Sequence, residues 1–221
     1  MERLKITPTV EDYLKAIYVL GEEVRPVIAA RVADEMGVSP STMFSTLRRL
    51  GNEGYVRIER RKEIHLTPKG RKVAEGILRR HFLTERLLTD LLGLDWVKAH
   101  EEAHRLEHAV SSDVEERLAK LLHHPTTCPH GNPIPKKGHA SRPRGMSLHR
   151  VPAGKEVVLE CITEGGERDS RLLGFMQQHH LLPGTRFQIL EVAPSLGIMN
   201  LKVGREEFAL GLEAAKKIRV Q

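Results

Sequence analysis

Three imidazoles and a carboxylate, His100, His104, Glu107 and His108, recur within nine residues of this chain. At about 100° of turn per residue they share roughly one quadrant of a helix. Neutral imidazole nitrogen and carboxylate oxygen are what a divalent transition metal accepts, so the stripe reads as a metal-binding face. The competing reading is a solvated polar face or a pair of satisfied core histidines. Upstream, His81 and Glu85 stand one turn apart on one face of a second candidate helix. They read either as further ligands or as a surface hydrogen-bonded couple. Cys128, His130 and His139 have irregular spacing and no evident fourth ligand, so no zinc site is expected there.

These residues need helices to hold them. Thr67-Pro68 opens a helix in which Val73, Ala74, Ile77, Leu78, Phe82, Leu87, Leu88, Leu91 and Leu92 are apolar around more than half the circumference. A second subunit is the economical cover for such a surface, and a two-fold homodimer is the common form of such a pairing. Gly93 ends the helix, Asp95 caps the next one, which carries the His/Glu stripe, and Ser112 with Glu115 forms a capping box for another.

The N-terminal third has a different texture. Thr9 is expected to cap a first helix, with Asp12 at the third helical position and Tyr13, Ile17 and Leu20 facing inward before Gly21. A second helix is predicted over Val27 to Met36. Gly37-Val38-Ser39-Pro40 then supplies a turn, a cap and a first-turn proline. The third helix turns Met43, Leu47 and Leu50 inward and leaves Ser41, Thr42, Ser45, Arg48 and Arg49 outward or at the rim. Small hydroxyl residues opening the second of two short helices let it approach base edges in a major groove, as helix-turn-helix docking requires. Two alternating stretches after Gly54, joined by Arg60-Arg61-Lys62, read as a hairpin wing whose basic tip reaches phosphates. The candidate DNA contacts are Ser39, Pro40, Ser41, Thr42, Ser45, Arg48, Arg49 and Arg60. A protein–protein module is the competing reading.

The 221 residues leave room for two domains, with a small third. The formal charge of +6 favours an anionic partner, and 4% aromatic content makes the cores aliphatic. Two cysteines outside any CxxC are no disulfide framework and suit a reducing cytoplasm. No apolar run reaches the length of a membrane span, and the N-terminus has no signal-peptide core.

Val10-Glu-Asp-Tyr-Leu-Lys-Ala-Ile-Tyr18, Leu66-Thr-Pro-Lys-Gly70, Arg80-His-Phe-Leu-Thr-Glu-Arg-Leu-Leu88, His100 to His108 and Gly131-Asn-Pro-Ile-Pro135 jointly resemble the diphtheria toxin repressor and manganese transport regulator family. The resemblance implies a mainly α chain with a small β domain. Its parts would be an N-terminal winged helix-turn-helix, a helical dimerisation domain and a C-terminal Src-homology-3-like β-barrel. It implies an ancillary metal site of His81, Glu85 and His100 with an acid from the barrel, and a primary site of Asp12, His104, Glu107 and His108. Iron-type members carry Met and Cys at the positions of Asp12 and His104, and manganese-type members carry Asp and Glu. A Glu of the manganese type is replaced here by Lys15, which argues against that subfamily's second manganese. Counting back from Pro183-Gly184 places the barrel ligands on Asp169 and Leu172. Leu172 cannot bind metal, so Asp169 carries over, with Glu167 a nearby substitute.

The expected domains are 1–70 for DNA binding, 71–135 for dimerisation and metal, 136–152 as a basic linker and 153–221 as a five-strand barrel. Four of its strands are sought at Val157–Ile162, Arg186–Val192, Ile198–Val203 and Lys217–Val220, with a short helix at 169–180. The expectation is a cytoplasmic homodimeric repressor activated by Mn(II), with Fe(II) second and other divalent metals active in vitro. It would bind a double-stranded, palindromic operator. The rivals are a metal-independent winged-helix regulator with vestigial sites and, against the absence of a nucleophile or oxyanion motif, a metalloenzyme.

Overall fold

The computed structural model describes residues 6–59, 61–136 and 143–221. The chain divides into two compact units. One comprises Met1–His81, Glu107–Ser111 and Pro135–Ala140, and the other Phe82–Leu106, Ser112–Ile134 and Ser141–Gln221.

In the first unit, α1 (Pro8–Glu23), α2 (Ala29–Met36) and α3 (Pro40–Asn52) precede a hairpin of β1 (Val56–Ile58) and β2 (Ile64–Leu66). Thr7, not Thr9, caps α1: its side chain accepts from the Val10 amide, and Pro8 takes the first helical position, where a missing N–H costs nothing. Asp12 is thereby pushed to the fifth helical position, out of the cap. The helix runs through Gly21 to Glu23 and does not end at the glycine as expected. Gly37 ends α2 in the left-handed region, at φ 62°, which a side chain would resist. Ser39 caps α3 by accepting from the Thr42 amide, and Pro40 follows. α2 packs against α1 and α3. Leu14 and Ile17 of α1, Val32 of α2, and Met43, Leu47 and Leu50 of α3 are buried. The hairpin pairs Val56 with Leu66 and Ile58 with Ile64.

Thr67 ties the hairpin to the next helix by donating its hydroxyl to the Gly54 carbonyl at 2.7 Å and accepting from the Gly70 amide. That helix, α4 (Pro68–Arg86), continues into a wider π-helical turn at Leu87–Leu91.

The second unit contains α5 (Trp96–Leu106) and α6 (Ser112–Leu121). Asp95 caps α5 by accepting from the Lys98 amide at 2.9 Å. α6 already includes Ser112, so that residue is helical and not the cap. Then come β3 (Met146–Ser147), β4 (Glu156–Ile162), α7 (Glu164–Glu167), α8 (Ser170–Gln178), β5 (Arg186–Ala193), β6 (Ile198–Val203), β7 (Glu206–Gly211), α9 (Leu212–Lys216) and β8 (Ile218–Val220). The sheet has six strands in the order β3-β8-β4-β5-β6-β7, one more than the five expected, and β3 falls inside the span read as linker. Register breaks in β4 at Leu159/Cys161 and in β5 at Ile189/Glu191 bend the sheet. Its inner face packs Leu159, Ile162, Phe187, Ile189, Met199, Leu201 and Ile218 with Leu173 and Met176 of α8 and Trp96 of α5. No described helix is long and apolar enough to cross a membrane.

Candidate metal centres and nucleic-acid interface

In the first unit, α1 presents Glu11, Asp12 and Lys15 to a pair of residues that follow α5, Glu107 and His108. The helix stops at Leu106, so these two stripe residues lie on a turn and not on the helix. His108 Nε2 lies 3.0 Å from Asp12 Oδ1 and 3.6 Å from Glu107 Oε1. Its Nδ1 lies 2.7 Å from Glu11 Oε2, and Arg80 holds the other Glu11 oxygen at 2.7 Å. Glu107 is fully buried. Its Oε2 lies 3.0 Å from Lys15 Nζ and 2.6 Å from His81 Nδ1. The departure at Lys15 thus has a structural expression: an ammonium group sits against Glu107. His104 is exposed on the last turn of α5.

The second unit holds a denser cluster. Glu85, on the last turn of α4, places Oε1 2.9 Å from His100 Nδ1 and Oε2 3.4 Å from His130 Nδ1. Glu167, on α7, places Oε2 3.5 Å from His100 Nδ1 and Oε1 3.1 Å from His130 Nδ1. Cys128 Sγ lies 3.5 Å from Glu167 Oε1. Ligand atoms of Glu85, Cys128, His130 and Glu167 all lie within 4.8 Å of one another, and all four residues are buried. His81 stands one helical turn before Glu85 on α4.

Local geometry explains the loop that delivers Cys128 and His130. Gly131 has φ 92°, and a Cβ there would lie 2.2 Å from the Glu160 carbonyl, so only glycine lets the loop come this close to β4. The Ile162 amide donates to the His130 carbonyl at 3.0 Å. Asn132 Nδ2 donates to both the Ile162 carbonyl and Glu167 Oε1, at 2.5 Å each, orienting the carboxylate. Trp96 meets the His130 ring edge-on at 4.8 Å.

The electrostatics are those of a site neutralised by protons. Burial disfavours the His100 imidazolium, yet hydrogen bonds and charge from Glu167 and Glu85 outweigh it and push the pKa up to about 10. His130 is raised for the same opposed reasons. Glu167 is disfavoured as an anion by burial and by Glu85, but His130 and His100 hold it down at about 2. Burial first, and then Glu167 and Glu85, keep Cys128 a thiol. Glu85 and Glu167 thus face two imidazoles held toward their charged forms, and a divalent cation would bring positive charge to the same place.

Several expectations change here. Asp169 is not at this cluster. It caps α8 by accepting from the Leu172 amide at 3.2 Å and pairs with Lys217 at 3.3 Å. Glu167, two residues earlier, takes its place because α7 turns it inward while the cap turns Asp169 to the surface. Cys128 and His130, set aside for their spacing, join Glu85 and Glu167, which the sequence places far away. His139 lies outside the described residues. Glu11 and Asn132 were missed, and for the rejected Cys128 and His130 the CPH run beside the Gly131–Pro135 motif was the available signal.

On α3, Ser39, Pro40, Ser41, Thr42, Ser45, Arg48 and Arg49 are all exposed. The Ser39 hydroxyl lies 2.9 Å from those of Ser41 and Thr42, and Ser45 donates to the Thr42 carbonyl at 2.8 Å. Arg61 and Lys62 are exposed at the hairpin tip, and Arg60 lies outside the described residues.

A helix-turn-helix with a hairpin, joined in one chain to buried carboxylate–imidazole clusters, defines a metal-responsive DNA-binding protein. Residues 5–64 match the iron-dependent repressor N-terminal DNA-binding domain, 67–136 the iron-dependent repressor metal-binding and dimerisation domain, and 146–221 the FeoA domain. The chain is 36% identical over 227 residues to the iron-dependent repressor IdeR of Mycobacterium tuberculosis, covering 98% of each. It is 42% identical over 130 residues to the diphtheria toxin repressor of Corynebacterium diphtheriae, covering 59% of this chain and 58% of that one. A manganese-dependent transcriptional repressor in complex with manganese superimposes with a TM-score of 0.87 at 30% identity, over 96% of this chain and 98% of that one. The manganese regulator SloR does so with 0.80 at 32%, over 98% and 99%. The chain belongs to the iron-dependent repressor family. It is a metal-dependent, DNA-binding transcriptional repressor, not an enzyme, with a Src-homology-3-like C-terminal domain.

Proposed function

We propose that this chain is a cytoplasmic homodimer that represses manganese or iron homeostasis genes when Mn(II) or Fe(II) loads two centres. The observation that carries the proposal is the buried set of Glu85, His100, Cys128, His130 and Glu167, whose internal charge balance a divalent ion would reproduce. One centre uses Asp12, His104, Glu107 and His108. The other uses Glu85 and Glu167, completed by His81 and His100 or by Cys128 and His130. Bound metal would supply a fixed divalent charge that ties these segments together. Glu11 would orient His108, and Asn132 would orient Glu167.

The first centre offers only oxygen and nitrogen, which suits Mn(II), with Fe(II) second. A Cys128 thiolate in the second would favour Fe(II) or a later metal there. Relatives named for iron and for manganese are both similar to this chain, so the likeness leaves the two metals open. α3 would enter the major groove of a palindromic operator with Ser39, Pro40, Ser41, Thr42 and Ser45 at base edges. Arg48, Arg49 and the wing, Arg60 included, would lie near phosphates. Exposed Leu91, Leu92 and Leu121 support a covering second subunit. The test is operator binding after chelation, titrated with each divalent metal. Activation by neither Mn(II) nor Fe(II) at any concentration would overturn the proposal.

A further inference from the structure

Phe44 lies on the outward side of α3 with 72% of its surface exposed, more than any other large hydrophobic residue described in the first unit. At about 100° per residue it shares roughly one third of the helix circumference with Ser41, Ser45 and Arg48. Met43, Thr46, Leu47 and Leu50 occupy the buried side. Its neighbours on that outward face are short hydroxyl residues and arginines. Two of the hydroxyls, those of Ser41 and Ser45, are already engaged within the helix. Phe44 is therefore the long apolar side chain on a face otherwise built for an anionic, polar surface.

We propose that Phe44 reads a thymine 5-methyl group in each half of the operator and is a specificity-determining residue. The major groove displays one apolar feature at base edges, the thymine methyl, and a phenyl ring is among the side chains that contact it. Ser41 and Ser45, one turn apart, leave room for the helix to come close enough for that contact. Arg48, one turn after Phe44, brings positive charge to the flanking backbone. The inference rests on α3 being the helix that enters the groove.

The experiment uses the full-length, metal-loaded protein. Selection from a random duplex pool defines its preferred site. Each thymine of that site is then replaced by deoxyuridine, which removes the methyl group and nothing else. Binding is measured for the wild type, Phe44→Ala and Arg48→Ala, with thermal melting confirming that each variant folds. The wild type should lose about fourfold in affinity at one thymine per half-site, the worth of one buried methyl group. In Phe44→Ala that loss should vanish, while metal-dependent binding persists. Arg48→Ala should weaken all sequences alike and keep the uracil effect. Identical uracil profiles for wild type and Phe44→Ala, or a selected site with no thymine retained in its halves, overturn the role of Phe44 alone. If Phe44→Ala and Arg48→Ala both bind every sequence as the wild type does, α3 is not in the groove and the underlying reading fails with it.

Discussion

Glu11 grips His108 through Nδ1 at 2.7 Å, which leaves Nε2 as the nitrogen beside Asp12. A carboxylate only accepts, so Nδ1 is the donor to Glu11, while Nε2 faces the Asp12 and Glu107 carboxylates. Arg80 in turn fixes Glu11 at 2.7 Å. This is the arrangement by which an outer carboxylate orients a metal-binding imidazole.

Glu11→Gln should therefore lower metal affinity at that centre by about 10–100-fold while leaving the fold intact. Metal titration against a competing chelator reads the change. An affinity equal to that of the wild type would mean that Glu11 merely pairs with Arg80.

Metal uptake in the second unit should release protons. With its pKa raised to about 10, His100 is protonated at neutral pH when no metal is bound. Glu167, at about 2, is already ionised and contributes none. For the metal-free fold, the raised His100 value stabilises fully below about pH 6.5, its unfolded value. That contribution is lost as pH rises through about 10. Metal affinity should move the other way, increasing with pH over the same window, because the ion competes with the proton. Calorimetry in buffers of different ionisation enthalpy should detect about one proton per bound ion from His100, or two if Cys128 and His130 are the ligands. Zero release, independent of buffer, would contradict a site neutralised by imidazolium.

Cys128 decides between the two ligand sets that share Glu85 and Glu167. Its thiol is buried 3.5 Å from Glu167 Oε1, and only a bound cation would make the thiolate favourable there. Co(II) loading of the wild type should produce a thiolate-to-metal absorption band, and Cys128→Ser should abolish it. With no such band in the wild type, His81 and His100 complete the site and Cys128 is a packing residue.

Legibility in the sequence followed how local each feature is. The α3 cap, Ser39 with Pro40, and the Gly37 turn depend on adjacent residues and were readable. The sequence reading puts the α1 cap on Thr9, whereas the structure puts it on Thr7, across Pro8. What decided it is that Pro8 fits the first position only if Thr7 precedes it. The barrel's β7 has apolar residues only at Phe208 and Leu210 on its inward side, too short an alternation to stand out, and the two-residue β3 exists only through its pairing with β8. Ligands one turn apart, such as His81 and Glu85, declared themselves. Glu85, His100, His130 and Glu167 come from α4, α5, a loop and α7, and no spacing rule joins four segments. The choice of Glu167 over Asp169 turned on a helix cap that counting from Pro183-Gly184 cannot see.

Asp12 carries the last prediction. At the fifth position of α1, with Thr7 as cap, it is too far into the helix to serve the first-turn amides, where a carboxylate's dipole stabilisation falls off. What it meets instead is His108 Nε2 at 3.0 Å. Asp12→Asn and Asp12→Ala should then behave alike, since no capping function remains for asparagine to preserve. Both should keep the fold and dimer, retain metal at Glu85 and Glu167, and lose most metal-dependent operator binding. A loss on the order of 5–150-fold is the range of typical couplings between two sites. Reciprocity gives an independent reading: operator DNA should tighten metal binding in the wild type by the factor by which metal tightens DNA binding, and that mutual factor should approach one in both variants. If either variant keeps the wild-type metal dependence, the switch does not run through α1, and Asp12 only pairs with His108.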